Sequence, residues 1–275
     1  MQHEGNKIAL MRAWRTGAQG MCPRDAWYPS TRYRDYGRGF LMELLKEFCA
    51  ENMARVPAAI EAGARRIELC DNLAVGGTSP SAGVIAGAVA YCRPRGVAVM
   101  AMVRPRGGDF VYTGAERDMM RLDTRLARAF GVTGVVFGCL TGDADAGYRL
   151  DDAFCAELVA LAKAPLTQAD ALFPGAATEP VAVTFHMAFD ELDAAEQLRA
   201  IDVLAGLGVE RILTHGGRAG TPISANYARL RELIAYAAGR LTILPGAGIT
   251  YENVDEVARE LGVTECHGTK IVRIG

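Results

Sequence analysis

The chain is 275 residues long, half of it hydrophobic and 23% charged, with a formal net charge of -2 at pH 7. That length accommodates one large α/β domain or two small ones around a sizeable core, while no uninterrupted apolar run approaches the roughly 20 residues of a membrane span. Without a basic excess or stripe, the composition argues against a general nucleic-acid binder.

Residues 1–43 carry seven Lys or Arg against four Asp or Glu and no hydrophobic period, which leaves -5 for the remainder. They read as an extension outside the fold, either a disordered segment or the product of a start codon upstream of Met42. The cysteines at 22, 49, 70, 92, 139, 155 and 266 are odd in number, dilute and without CxxC spacing. Reduced thiols in a cytoplasm fit this better than a disulfide scaffold. No signal peptide is visible, because the first apolar segment is short and broken by Arg12 and Arg15.

From Leu44 a short apolar run ending in polar or glycine residues alternates with a helical stretch rich in Ala, Leu, Arg and Glu. The runs are LLKEFC (44–49), RIELC (66–70), VAVMAMV (97–103), GVVFG (134–138), VAVTF (181–185), RILT (211–214), LTILP (241–245) and TECHG (264–268). Between them lie patterns such as MARVPAAIEAGA, ERDMMRLDTRLARAFG, DDAFCAELVALAK and NVDEVARELG, several closed by the glycine that ends a helix. Eight strands alternating with helices predict a single-domain TIM (β/α)8 barrel over residues 44–275, for which about 250 residues is typical. A doubly wound sheet is the competing topology, but no GxGxxG follows the first strand. In a barrel the polar residues at strand carboxyl ends line the functional mouth.

The first two strands each end in Glu-x-Cys, Glu47 with Cys49 and Glu68 with Cys70. Residues two apart in a strand share a side, so acid and thiol face the barrel together. The pattern places two thiols on adjacent strands near one level, and thiolates are soft ligands that select Cu(I). Free cysteine is also an ordinary small core hydrophobe, and neighbouring barrel strands contribute to different layers. After the third strand, Arg104 and Arg106 lead to Asp109 through Gly107 and Gly108. Such a pair can grip a carboxylate or phosphate, or brace the barrel glutamates.

His186, with Asp190 four residues on, leaves the fifth strand in TFHMAFD, and His267 ends the eighth with Lys270 nearby. A histidine at a mouth is a candidate acid, base or ligand, or is satisfied by a backbone carbonyl. The glycines of LTHGGR and LPGAGIT (Gly216, Gly217, Gly246 and Gly248) either hold an anion through their amides or simply turn the chain. No HxH, HExxH or CxxC spacing occurs, and no strand-end lysine marks a Schiff base.

Taken in order from Leu44 to Lys270, IELCDNLAVGGTSPSAGVI, VRPRGGDFVY, GVVFGCLT, TFHMAFD, ILTHGG, ILPGAGIT and ECHGTK resemble the CutC family of copper homeostasis proteins. The resemblance implies a cytoplasmic TIM barrel that self-associates and handles copper, with Cys49 and Cys70 as Cu(I) ligands. The chain departs from the family pattern in three places. His215 stands where relatives usually have serine, the segment 165–180 looks like an insertion on the amino-terminal side of the barrel, and residues 1–43 have no counterpart.

A family name of this kind describes a cellular role and supplies no reaction, so two hypotheses follow. The first is Cu(I) binding by Cys49 and Cys70, without nucleic-acid or membrane partners. The second is an enzyme or binding protein for a small phosphate- or carboxylate-bearing metabolite. There Arg104, Arg106 and Asp109 would bind the ligand with His267 and the glycine turns, and His186, Asp190 and Glu68 would carry any catalysis.

Overall fold

A computed structural model describes residues 43–167, 171–172, 180–217 and 220–275. Each of the eight expected runs carries a parallel strand: β1 (Leu45–Glu51), β2 (Arg66–Cys70), β3 (Ala98–Met102), β4 (Gly134–Phe137), β7 (Ala182–Phe185), β8 (Arg211–Thr214), β9 (Thr242–Pro245) and β10 (Glu265–Gly268). Their order, β10-β1-β2-β3-β4-β7-β8-β9, is sequential around one sheet, which makes a nearly closed barrel. The expected TIM architecture is therefore the observed one.

The intervening helices are α1 (Val56–Glu61), α2 (Ala82–Cys92), α3 (Gly114–Phe130), α4 (Asp152–Lys163), α5 (Ala194–Leu207), α6 (Tyr227–Ala237) and α7 (Val254–Leu261). Their ends follow local chemistry. Thr113 and Glu116 form a reciprocal capping box on α3, and Ser81, Asp151 and Asp193 each accept a first-turn amide on α2, α4 and α5. Gly131, Gly208 and Gly262 stop α3, α5 and α7 at left-handed φ values of 83°, 85° and 67°.

One element went unread in the sequence. After β4 the chain makes an antiparallel hairpin, β5 (Leu140–Asp143) and β6 (Gly147–Leu150), before α4. Its signal was GDADAG: the Asp143 carboxylate accepts the amides of Asp145 and Ala146 at 2.9 and 2.8 Å, and Gly147 supplies a φ of 85°.

Strand alternation sorts the buried residues into two bodies. Residues such as Phe48, Ile67, Leu69, Val99, Val135, Phe137, Val183, Phe185 and Ile212 belong to the large cluster between strands and helices. Each large side chain buried there contributes about 1.5–3 kcal/mol. The opposite parity faces the barrel axis, where a small apolar cluster around Cys49, Cys70, Met100 and Met102 meets buried charge. Residues 1–42 and most of the segment 165–180 lie outside the described residues. That segment joins the carboxyl end of α4 to the start of β7.

Candidate metal centre at the barrel mouth

Strand parity puts Arg66, Glu68 and Cys70 on one side of β2, Glu47 and Cys49 on one side of β1, and Glu265 and His267 on one side of β10. Inside the barrel they form a continuous polar column. Arg211 and Arg66 both bond Glu265, at 2.9 and 2.8 Å, and Arg66 also pairs with Glu47. The other Glu47 oxygen meets His267 Nδ1 at 2.8 Å, while His267 Nε2 lies 3.7 Å from Glu68. The Cys70 thiol donates to Glu68 at 3.6 Å.

The charges along this column are set by one another. Burial disfavours the Glu47 carboxylate, but Arg66 and His267 overcome it and bring its pKa down to about 2. Burial likewise disfavours charge on His267, yet Glu68, Cys49 and Glu47 raise its pKa well above the usual value. Glu68 is pushed upward by burial, with His267 opposing and Glu47 adding to the rise.

The thiols are not at one level, and that expectation is corrected by the register. Cys49 pairs across the ladder with Glu68, and Cys70 pairs with Glu51. Even so, the ligand atoms of Cys49, Glu68 and Cys70 all lie within 4.8 Å of one another, as do those of Glu47, Glu68 and His267. Cys49 borders a cavity of about 370 Å³ shared with Glu51, Asn52, Arg55, Leu73 and Thr269. Cys70 is sealed beneath the loop that follows β2, where Gly77 approaches so closely that a Cβ would sit 3.2 Å from its sulfur. Both are held as thiols. The neighbouring Cys70, burial and Glu68 raise Cys49 well above the ordinary value. For Cys70 the contact with Cys49 favours ionisation, but burial and Glu68 prevail and push it up to about 11.

Arg104 is committed to this loop: it donates to the carbonyls of Val75, Gly77 and Gly108 at 3.1, 3.0 and 2.8 Å. Arg106 is spent on Glu116, Asp109 and the carbonyls of Gly107, Asp109 and Val111. The Asp109 side chain is half exposed and borders a second cavity, of about 240 Å³, with Gly108, Phe110, Tyr148 and Glu191.

His186 lies under Phe110, with ring centroids 5.0 Å apart, and over Gly138, where a Cβ would overlap the imidazole. Its Nδ1 accepts the Ala188 amide, which places the proton on Nε2, and that atom is buried with no hydrogen-bond partner among the described residues. Burial and Arg104 lower its pKa to about 3, so it is neutral. Asp190 turns away to β8: it accepts the Thr214 hydroxyl and the amides of His215, at 2.9 Å, and Gly217.

The glycine turns are engaged too. The Gly216 amide donates to Thr214 Oγ1 at 2.9 Å and the Gly246 amide to the Thr214 carbonyl at 3.0 Å. Gly216 and Gly248 have φ values of 75° and 73°, and a Cβ at Gly246 would overlap Leu213. His215 is buried, with its ring nitrogens 3.2 Å from the Gly246 carbonyl and 3.4 Å from Thr221 Oγ1.

The sequence reading missed Arg66, Arg211 and Glu265 as column members. Period-two spacing from Glu68 and His267 was the available signal for Arg66 and Glu265.

Comparison with known proteins places these features in a family. The CutC family profile matches residues 44–272. A CutC family protein of Enterococcus faecalis is 52% identical over 229 residues, 83% of this chain and all of the relative. The human copper homeostasis protein cutC homolog is 36% identical over 233 residues, 83% of this chain and 72% of the relative. The solved structure of CutC from Streptococcus agalactiae superposes with a TM-score of 0.73 at 38% identity, covering 83% of this chain and all of the other. A deoxyribose phosphate aldolase from Aeropyrum pernix, 11% identical with a TM-score of 0.57 over 84% of this chain and 86% of its own, shares the fold alone. With its motifs, barrel and relatives in agreement, the chain belongs to the CutC family.

Proposed function

We propose that the protein serves copper homeostasis by taking up Cu(I) at the barrel mouth through Cys49 and Cys70. The observation that carries this reading is the approach of two sulfurs and the Glu68 carboxylate to within 4.8 Å of one another, with Cys49 bordering a cavity. A metal–thiolate bond of about 2.3 Å puts the sulfurs of a linear centre about 4.6 Å apart, so the pair spans the ion with little backbone rearrangement. Soft sulfur favours Cu(I), and the ion replaces the two thiol protons as it binds. The surrounding carboxylates favour a cation over an anion. The names of the human and mouse relatives, copper homeostasis protein cutC homologs, support the role. The reading extends to the cytoplasm, where thiols stay reduced, and to a homo-oligomer.

Competition with a chromophoric Cu(I) chelator under anaerobic conditions tests it. The full chain is expected to withdraw copper from the chelator, and Cys49→Ser and Cys70→Ser to lose most of that capacity. Unchanged competition by both variants overturns the assignment.

The reading as a protein for an anionic metabolite retains one observation in its favour, the buried Nε2–H of His186 with no acceptor among the described residues. Its proposed grips, Arg104 and Arg106, are occupied by protein carbonyls and carboxylates. Thermal stabilisation by inorganic phosphate but not by Cu(I) would favour it.

A further inference from the structure

The barrel interior holds more sulfur than two thiols. Cys49, Cys70, Met100 and Met102 belong to one contiguous buried cluster with Val136 and Ala182, and Leu73 packs against it. Strand geometry assembles them. Met100 and Met102 are two apart on β3 and share a side, and the β2–β3 ladder sets Glu68 beside Met100 and Leu69 beside Ala101. Cys70 and Met102 are the next residue on each strand, at the mouth end of both.

The two methionines differ in surroundings. Met100 presses on Gly134 of β4, where a Cβ would sit 2.5 Å from Sδ. Its thioether is wedged into the notch that the glycine leaves on β4. Met102 lies on the mouth side and is 5% exposed, against 6% for Cys49.

We propose that Met102 supplies a thioether as third ligand to the cuprous ion, completing a site of two thiolates and one thioether, while Met100 serves packing. The proposal rests on the assignment of Cys49 and Cys70 as ligands. A thioether is as soft a donor as this ion prefers. It carries no charge, so it adds a copper–sulfur bond without placing a third thiolate beside Glu68 and Glu47 in a water-poor space. Three rotatable bonds let the sulfur reach an ion between β1 and β2 while the backbone stays in place. Packing alone does not demand sulfur at this position, since leucine fills a similar volume.

The test compares Met102→Leu, Met100→Leu and Cys70→Ser with the parent full chain, loaded anaerobically with Cu(I). It reads chelator competition and X-ray absorption at the copper edge, and at the selenium edge in selenomethionine-labelled protein. Met102→Leu is expected to weaken Cu(I) binding by ~10-fold or more, to lower the sulfur coordination number by one and to abolish copper–selenium scattering. Met100→Leu leaves all three unchanged. Equal effects in the two methionine variants, or no copper–selenium scattering in the labelled parent chain, overturn the proposal. If Cys70→Ser alone weakens binding, the thiolate assignment stands and the third ligand falls. If Cys70→Ser and Met102→Leu both bind as the parent does, both fall.

Discussion

Cys49 on β1 stands across the ladder from Glu68 on β2, and the Glu68 carboxylate also accepts the thiol of Cys70 at 3.6 Å. One buried acid is thus shared between two thiols, and its charge opposes formation of either thiolate.

Slow thiol chemistry in the metal-free protein follows. With the Cys70 pKa pushed up to about 11 and that of Cys49 well above its ordinary value, only roughly a thousandth of Cys70 is thiolate at pH 8. Iodoacetamide is expected to label Cys49 and Cys70 far more slowly than an unstructured peptide cysteine, and Glu68→Gln to speed both by removing the opposing charge. Mass spectrometry of labelled peptides reads the rates. Equal rates in the parent and Glu68→Gln chains would exclude the carboxylate as the cause.

Stability is expected to fall on the acid side, beginning above the carboxylate range. The folded pKa of His186 is about 3 against an ordinary 6.5, so the unfolded chain binds a proton that the folded one refuses. The stability from its neutral form is full above pH 6.5 and is lost as pH falls toward 3. Glu47, at about 2 against 4.5, adds a loss of the same sign at lower pH. Asp190, raised to about 6 by burial against amide and hydroxyl donors, acts in the opposite sense between pH 6 and 3.8. Urea midpoints between pH 7.5 and 4 should show a shallower acid decline in His186→Asn than in the parent; parallel curves would refute the account.

Arg104 is expected to matter to the loop over Cys70. Replacement by Met keeps the aliphatic stem but leaves the Val75, Gly77 and Gly108 carbonyls without its guanidinium. A buried group left unsatisfied costs ~1–3 kcal/mol. The melting temperature should drop by several degrees. The Asp71 and Thr78 amides, which bond each other's carbonyls at 2.9 and 2.7 Å, should exchange hydrogen faster. Unchanged protection at both would show that the loop holds itself.

A chain beginning at Met42 is expected to fold. All eight barrel strands lie between Leu45 and Gly268, and the family match begins at residue 44. Differential scanning calorimetry should give a single cooperative transition within a few degrees of the full chain. A broad or absent transition would make residues 1–41 part of the folding unit.

Much of this molecule was legible in one dimension. Eight apolar runs alternating with glycine-closed helices determined the barrel, because strand and helix periods are local properties of the chain. The period of two placed Glu47 with Cys49, and Glu68 with Cys70, on common sides before any fold was known. The partners those side chains choose were not legible. The sequence left the two thiols either near one level or in different layers, and the ladder staggers them, since register depends on how eight strands close around an axis. Asp190, only four residues from His186 in the chain, joins Thr214 and His215, while Arg104 went to loop carbonyls. Such choices are made by groups far apart in the chain, each competing for the donors and acceptors that closure of the barrel brings within hydrogen-bond reach. Spacing along the sequence carries no record of that competition.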